Sequence, residues 1–154
     1  MIDIEATVSW SRQPHEAFSD QRYSRAHTWR FDGGAEVAAS SSPHIVPLPY
    51  SAAAHVDPEE AYVASLSSCH MLVYLAIAAK RGYVVDSYQD RAAGVMEKNP
   101  QGQLFISRVT LHPRVAYRGA APDEAAEQAL HHAAHQQCFI ANSVRTVIDT
   151  VIER

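Results

Sequence analysis

The longest uninterrupted apolar pattern lies between Ala61 and Ala79, "AYVASLSSCHMLVYLAIAA", where no charged side chain occurs. Its flanks carry helix punctuation. Asp57 is a cap residue, Pro58 suits the first turn, and Glu59 and Glu60 favour the positive end of the helix dipole. Lys80, Arg81 and Gly82 supply a cationic last turn and a C-terminal stop. The pattern predicts one helix of roughly 24 residues, about 36 Å long at 1.5 Å per residue. A helix apolar nearly all round must have most of its surface covered, either in a core or at a subunit interface. A membrane span is the rival reading. It is disfavoured by Ser65, Ser67, Ser68, Cys69 and His70 within the run, and by the lack of any second segment to pair with it.

Period-two patterns dominate elsewhere. "IEATVSW" (4–10) alternates in part, and "RYSRAHTWRF" (22–31) runs through the turn signal "DGG" into "AEVAAS" (35–40), which predicts a hairpin with Tyr23, Arg25, His27 and Trp29 on one face. Residues 41–57 contain prolines without periodicity and read as a long loop, with one short strand at Ile45 to Pro47. "NPQG" (99–102) joins two alternating stretches, 83–99 and 103–119, into a long antiparallel hairpin. Asp123 caps a second helix over 121–137, with its apolar set at Ala125, Ala129, Leu130 and Ala133. Residues 138–143 read as a short turn or helix, and the Val, Ile and Thr of 143–152 read as a last strand. The order βββ, long helix, ββ, helix, β makes the fold α+β, in a single domain of 154 residues.

Composition narrows the function classes. Hydrophobic residues make up 47% and charged residues 19%, as in a folded globular chain. With 13 Lys and Arg against 17 Asp and Glu the net charge is -4, which offers no basic stripe for a phosphate backbone, so no nucleic acid partner is expected. The first ten residues, "MIDIEATVSW", lack a cationic and apolar leader, and the expected compartment is the cytoplasm. In that compartment the two cysteines, Cys69 and Cys138, are expected to be buried, transient or catalytic rather than a permanent staple.

Two chemistries are open to them. "HHAAHQQC" places His131, His135 and Cys138 at spacings that put all three on one helix face, a loose zinc-ligand pattern, although nine histidines make such clusters common by chance. A cysteine within an apolar helix is ordinarily an inert small hydrophobe. For Cys69 to act as a nucleophile it needs a cation to favour its thiolate and a carboxylate to orient that cation. Glu59 and Cys69 are ten positions apart, about 15 Å along the helix and about 80° around it, so no direct contact is available to them. His70 points about 100° away from Cys69 and is not automatically its partner.

"DPEEAYVASLSSCHM" resembles the first-cysteine signature of the osmotically inducible protein C and organic hydroperoxide resistance (OsmC/Ohr) family, and "AHQQCFIANSV" resembles its second-cysteine region. The likeness extends to "YSRAHTWRFDGG" and thus over nearly the whole chain. The resemblance implies an intertwined homodimer with long central helices packed against antiparallel sheets, no bound cofactor and no metal. It implies a thiol-dependent peroxidase acting on organic hydroperoxides, with Cys69 peroxidatic, Cys138 resolving and Glu59 holding an activating arginine. An external dithiol, a lipoyl-type one among the candidates, would reduce the resulting disulfide. The chain departs from the family at that arginine. One branch has it just after the first hairpin turn, where Ala35 and Glu36 stand here, and the other has it in the loop 41–57, which contains none. Arg25, on the strand face of His27 and Trp29, is the expected replacement, with Arg30 second. His27, His70 and Ser143 are further candidates for lining the site. The competing expectation is a protein of this fold that binds a metal or small ligand through its His/Cys cluster without peroxidase turnover.

Overall fold

Alternation in the N-terminal segment and the Asp-Gly-Gly turn produce a three-stranded antiparallel sheet in the order β1 (Ala6–Ser9), β2 (His27–Phe31) and β3 (Glu36–Ala39). Gly34 supplies the positive φ of +89° that the β2–β3 turn requires and a side chain would resist. The structure, a computed structural model, describes residues 1–154, and the chain divides into two compact units, Met1–Ala61 and Tyr62–Arg154.

Within the first unit, residues 22–26 are not strand, contrary to the pattern. The preceding loop turns at Phe18 and Gln21, both at positive φ, and is tied by Glu16, whose carboxylate accepts the Gln13 N–H at 2.6 Å and the Ser24 N–H at 2.5 Å. Trp10, Phe18 and Tyr23 cluster over it. These local bonds satisfy the backbone that a longer hairpin would otherwise have paired. Ile45 to Pro47 is a turn rather than a strand, because Ile45 N–H and Val46 N–H both donate back to the Ser42 carbonyl.

The long helix forms as α1 (Pro58–Lys80), and the division between the units falls in its first turn. Asp57 and Glu60 form a reciprocal capping box: the Glu60 N–H donates to Asp57 Oδ1 at 2.8 Å and the Asp57 N–H to Glu60 Oε1 at 2.9 Å. Gly82, at φ +85°, ends the helix while the Tyr83 N–H closes on the Ala78 carbonyl.

The second unit packs α1 and α2 (Glu124–Gln137) against antiparallel strands. The expected long hairpin is present but broken on both arms, into β4 (Val84–Asp90) and β5 (Ala93–Lys98) and into β6 (Leu104–Leu111) and β7 (Pro113–Arg118). β4 pairs with β7 and β5 with β6. The break falls where Pro113 has no N–H to give to a ladder and where Asp90 turns its carboxylate onto the His112 N–H at 2.6 Å. β8 (Val147–Thr150) lies parallel to β6. Two apolar clusters result. Tyr74 and Ala78 of α1 meet Leu130 and Ala134 of α2 over Val85, Tyr88 and Val115, while Leu66 meets Val109, Leu111, Ile106 and Ile148.

Coverage of α1 is one-sided in this chain. Leu66, His70, Tyr74 and Ala78 are buried at four-residue spacing, whereas Ala64, Ser68, Leu72 and Ala76 are exposed, Leu72 to 61%. The sheet approaches α1 closely at Gly94, where a Cβ would come within 2.8 Å of Val63 Cγ2. Val63 is β-branched and cannot swing aside freely. Gly94→Ala is therefore expected to destabilise by about 1–3 kcal/mol despite relieving the chain of a flexible residue, measured as a lowered midpoint in urea unfolding followed by circular dichroism.

Candidate functional site

The two cysteines come from different helices of the second unit. Cys69 sits mid-way along α1 and is half-buried, and Cys138 is the C-cap residue of α2 and is 1% exposed. Both are free thiols, and they neighbour each other. Burial pushes the Cys138 thiol above its ordinary pKa, and a hydrogen bond with the Cys69 thiol pushes it further. The Ala141 N–H donates to Cys138 Sγ at 3.4 Å, and the Asn142 N–H donates to its carbonyl at 3.0 Å. The one-turn helix Ala141–Ser143 thus holds the second sulfur in place. Two thiols so arranged, one accessible and one buried beside it, can pass between dithiol and disulfide without a large rearrangement.

Glu59 lies in the first unit with its Oε2 buried and without a hydrogen-bond partner. Burial raises its carboxyl pKa, and the neighbouring Asp57 carboxyl raises it further. No guanidinium pairs with it. Arg25 instead donates to the carbonyls of Gln21 at 2.7 Å and Tyr23 at 2.5 Å and lies 3.6 Å over the Tyr23 ring, without a carboxylate partner. Arg30 is neutralised by Glu36 across the β2–β3 pair. His27 is engaged locally as well, its Nδ1 2.7 Å from the Arg25 carbonyl and its Nε2 accepting from Trp29 Nε1 at 3.0 Å. Ser143 donates to the Phe139 carbonyl at 2.7 Å and is exposed.

The helix-face reading of His131, His135 and Cys138 does not produce a ligand set: no three His, Cys, Asp or Glu side chains converge on a point. The α1–α2 crossing takes His131 away instead. His70 Nε2 and His131 Nδ1 are 3.0 Å apart, with the two rings parallel to within 6° and nearly fully buried. A hydrogen bond of that geometry needs one imidazole N–H and one lone pair. Burial lowers the His70 pKa to about 4, with His135 adding to the effect and Asp90 opposing it, and burial followed by the nearness of His70 lowers that of His131 to about 3.

This pair opens onto a polar chain that the sequence patterns do not reveal. His131 stacks on Tyr74 at 4.2 Å, and Tyr74 hydroxyl bonds to Tyr117 hydroxyl. Tyr117 donates to Glu127 at 3.1 Å, and Arg154 reaches the same carboxylate at 3.4 Å. The only available signal was the presence of tyrosine in otherwise apolar stretches, since a buried phenol ordinarily needs a partner.

An α+β chain carrying two neighbouring free thiols on two helices has the groups that thiol–disulfide chemistry requires. The chain belongs to the OsmC-like protein family, whose model matches residues 51–153. Among solved structures it is similar to an OsmC-like protein of unknown function from Vibrio cholerae O1 biovar eltor. The two are 52% identical, the match covers 99% of this chain and all of the other, and the TM-score is 0.97. Two organic hydroperoxide resistance proteins share the fold at lower identity. That of Elizabethkingia anophelis is 19% identical with a TM-score of 0.70, over 99% of this chain and 94% of the other. OhrB of Bacillus subtilis is 20% identical with a TM-score of 0.64, over 99% and 97%. None of the curated protein sequences matches the chain.

Proposed function

We propose that this chain is a thiol-dependent peroxidase that reduces organic hydroperoxides. The observation that carries this reading is the neighbouring of an accessible Cys69 and a buried Cys138 at the end of α2. The Cys69 thiolate attacks the terminal oxygen of ROOH, the O–O bond breaks, and the alkoxide leaves as ROH after taking a proton. Cys69 becomes a sulfenic acid. The Cys138 sulfur then attacks that sulfur, a disulfide forms and water leaves. A dithiol of the lipoyl type, oxidised in its turn, restores both thiols by exchange.

Glu59 and Arg25, both of the first unit, are the residues proposed for the activating carboxylate and guanidinium. Glu59 supplies a carboxylate with a buried and unpartnered oxygen, and Arg25 supplies a guanidinium free of any carboxylate. The working unit in this reading is a homodimer in a reducing compartment. The exposed ridge of Ala64, Ser68, Leu72 and Ala76 on α1 is the surface that a second copy would cover.

The reading is tested by adding one equivalent of cumene hydroperoxide to the reduced protein. Both thiols are expected to disappear with a mass change equal to the loss of two hydrogens. Retention of the Cys138 thiol while Cys69 accumulates sulfinic acid, or no reaction at either, would overturn it.

A further inference from the structure

Where the long hairpin breaks, the second unit carries an open cavity of about 310 Å³, lined by Gln89, Arg91, His112, Arg114 and Glu153. Its walls are strand positions. Gln89 is the register partner of Arg114 in the β4–β7 pair, and the chain end is fastened alongside by the Glu153 N–H donating to the Pro113 carbonyl at 2.9 Å. Asp90, between Gln89 and Arg91, faces the opposite way, toward the Ser67 hydroxyl of α1. Period-two alternation thus separates the cavity from the helix side of the strands.

The chemistry of the lining is unusual for a chain of net charge -4. Arg91 and Arg114 converge on one hollow, and neither has an ion-pair partner, although Glu153 shares the cavity with them. Two uncompensated guanidiniums around a concave space form an electrostatic well for an anion and suit planar, bidentate oxygen acceptors. The other two polar groups ask for something different. His112 Nδ1 lies 3.2 Å from the Arg91 carbonyl, which can only accept, so Nδ1 carries a proton and the tautomer this selects leaves Nε2 as the acceptor. Glu153 is an acceptor too. A bare anion would satisfy the arginines but leave Glu153 facing like charge and His112 Nε2 without a donor.

We propose that this cavity binds a small organic anion that also carries hydroxyl groups, a phosphate monoester or a hydroxycarboxylate. Its anionic oxygens lie against Arg91 and Arg114, and its hydroxyls donate to Glu153 and His112. The site is independent of the thiol pair and of the peroxidase reading.

The test is a titration of the full-length, isotopically labelled protein at low ionic strength with glycerol 3-phosphate, glycerate, inorganic phosphate and glycerol, following backbone amides. Saturable shifts confined to residues 89–91, 112–114 and 153 are expected for the first two probes, and whichever binds more tightly identifies the anionic group. Arg91→Gln and Arg114→Gln should each weaken that binding by about tenfold or more. Glu153→Gln should weaken glycerol 3-phosphate or glycerate but not inorganic phosphate. Arg118→Gln, which removes a guanidinium already paired with Asp86 outside the cavity, should change nothing. All four positions are exposed or half-buried, and matching thermal melts check that the variants fold. Absence of saturable shifts with every anion, or equal weakening by Arg118→Gln, overturns the site. An undiminished response of both organic probes in Glu153→Gln overturns the hydroxyl requirement.

Discussion

Cys69→Ser is expected to lower dithiol-dependent consumption of cumene hydroperoxide by about three orders of magnitude or more, because a serine hydroxyl at neutral pH is a far weaker nucleophile toward an O–O bond than a thiolate. Cys138→Ser should behave differently. Its first turnover proceeds at the wild-type rate, since the attacking thiol is intact, and it then stalls at the sulfenic acid when the reductant is limiting. The asymmetry follows from placement. Cys69 is half-buried on the flank of α1, whereas Cys138 is closed off at the end of α2 with its pKa raised by burial. Rapid mixing with one equivalent of peroxide, followed by trapping of the sulfenic acid, separates the two variants. Equal consumption by Cys69→Ser and wild type would sink the peroxidase assignment, and a reversed pattern would exchange the roles of the two thiols.

The second large effect concerns acid. In the folded protein His70 and His131 hold their pKa values near 4 and 3, while an unfolded imidazole titrates near 6.5. Above pH 6.5 both states carry neutral rings and the pair contributes no pH dependence. As pH falls through 6.5 the unfolded chain takes up protons that the folded chain refuses, so stability is lost progressively down to about pH 4 for His70 and about pH 3 for His131. The slope is about 1.4 kcal/mol per pH unit for each such ring. Urea unfolding at pH 7, 6 and 5 should show the fall, and the double variant His70→Gln, His131→Gln should flatten it even if its stability at pH 7 is lower. A wild-type profile that is level between pH 7 and 5 would contradict the buried neutral pair.

The helices were legible because their signals are local. Asp57, Pro58 and Glu60 at one end of α1 and Gly82 at the other mark its bounds within a residue, and Asp123 caps α2 by accepting from the Ala126 N–H. The turns at residues 32–34 and 99–102 were legible for the same reason. Strand limits were not, wherever a competing bond lay outside the window being read. Glu16 captures the Ser24 N–H from eight positions away and removes 22–26 from the hairpin, and Asp90 does the same to His112 across the bend. Of the site, the cysteines were visible as residues but their proximity depends on how α1 and α2 cross. That crossing also turns His131 from a presumed helix-face ligand into the partner of His70.

Cys138 has a double office. Its sulfur accepts the Ala141 amide while its backbone N–H closes the last turn of α2 onto the His135 carbonyl. In the proposed disulfide this sulfur is bound to a second one and its torsion is set by the bridge, so the geometry of its bond with the Ala141 amide changes with it. On the proposed cycle, the redox state of the pair would be transcribed into the solvent exchange of the Ala141 and Asn142 amides, a readout that needs no substrate, no reductant and no chromophore.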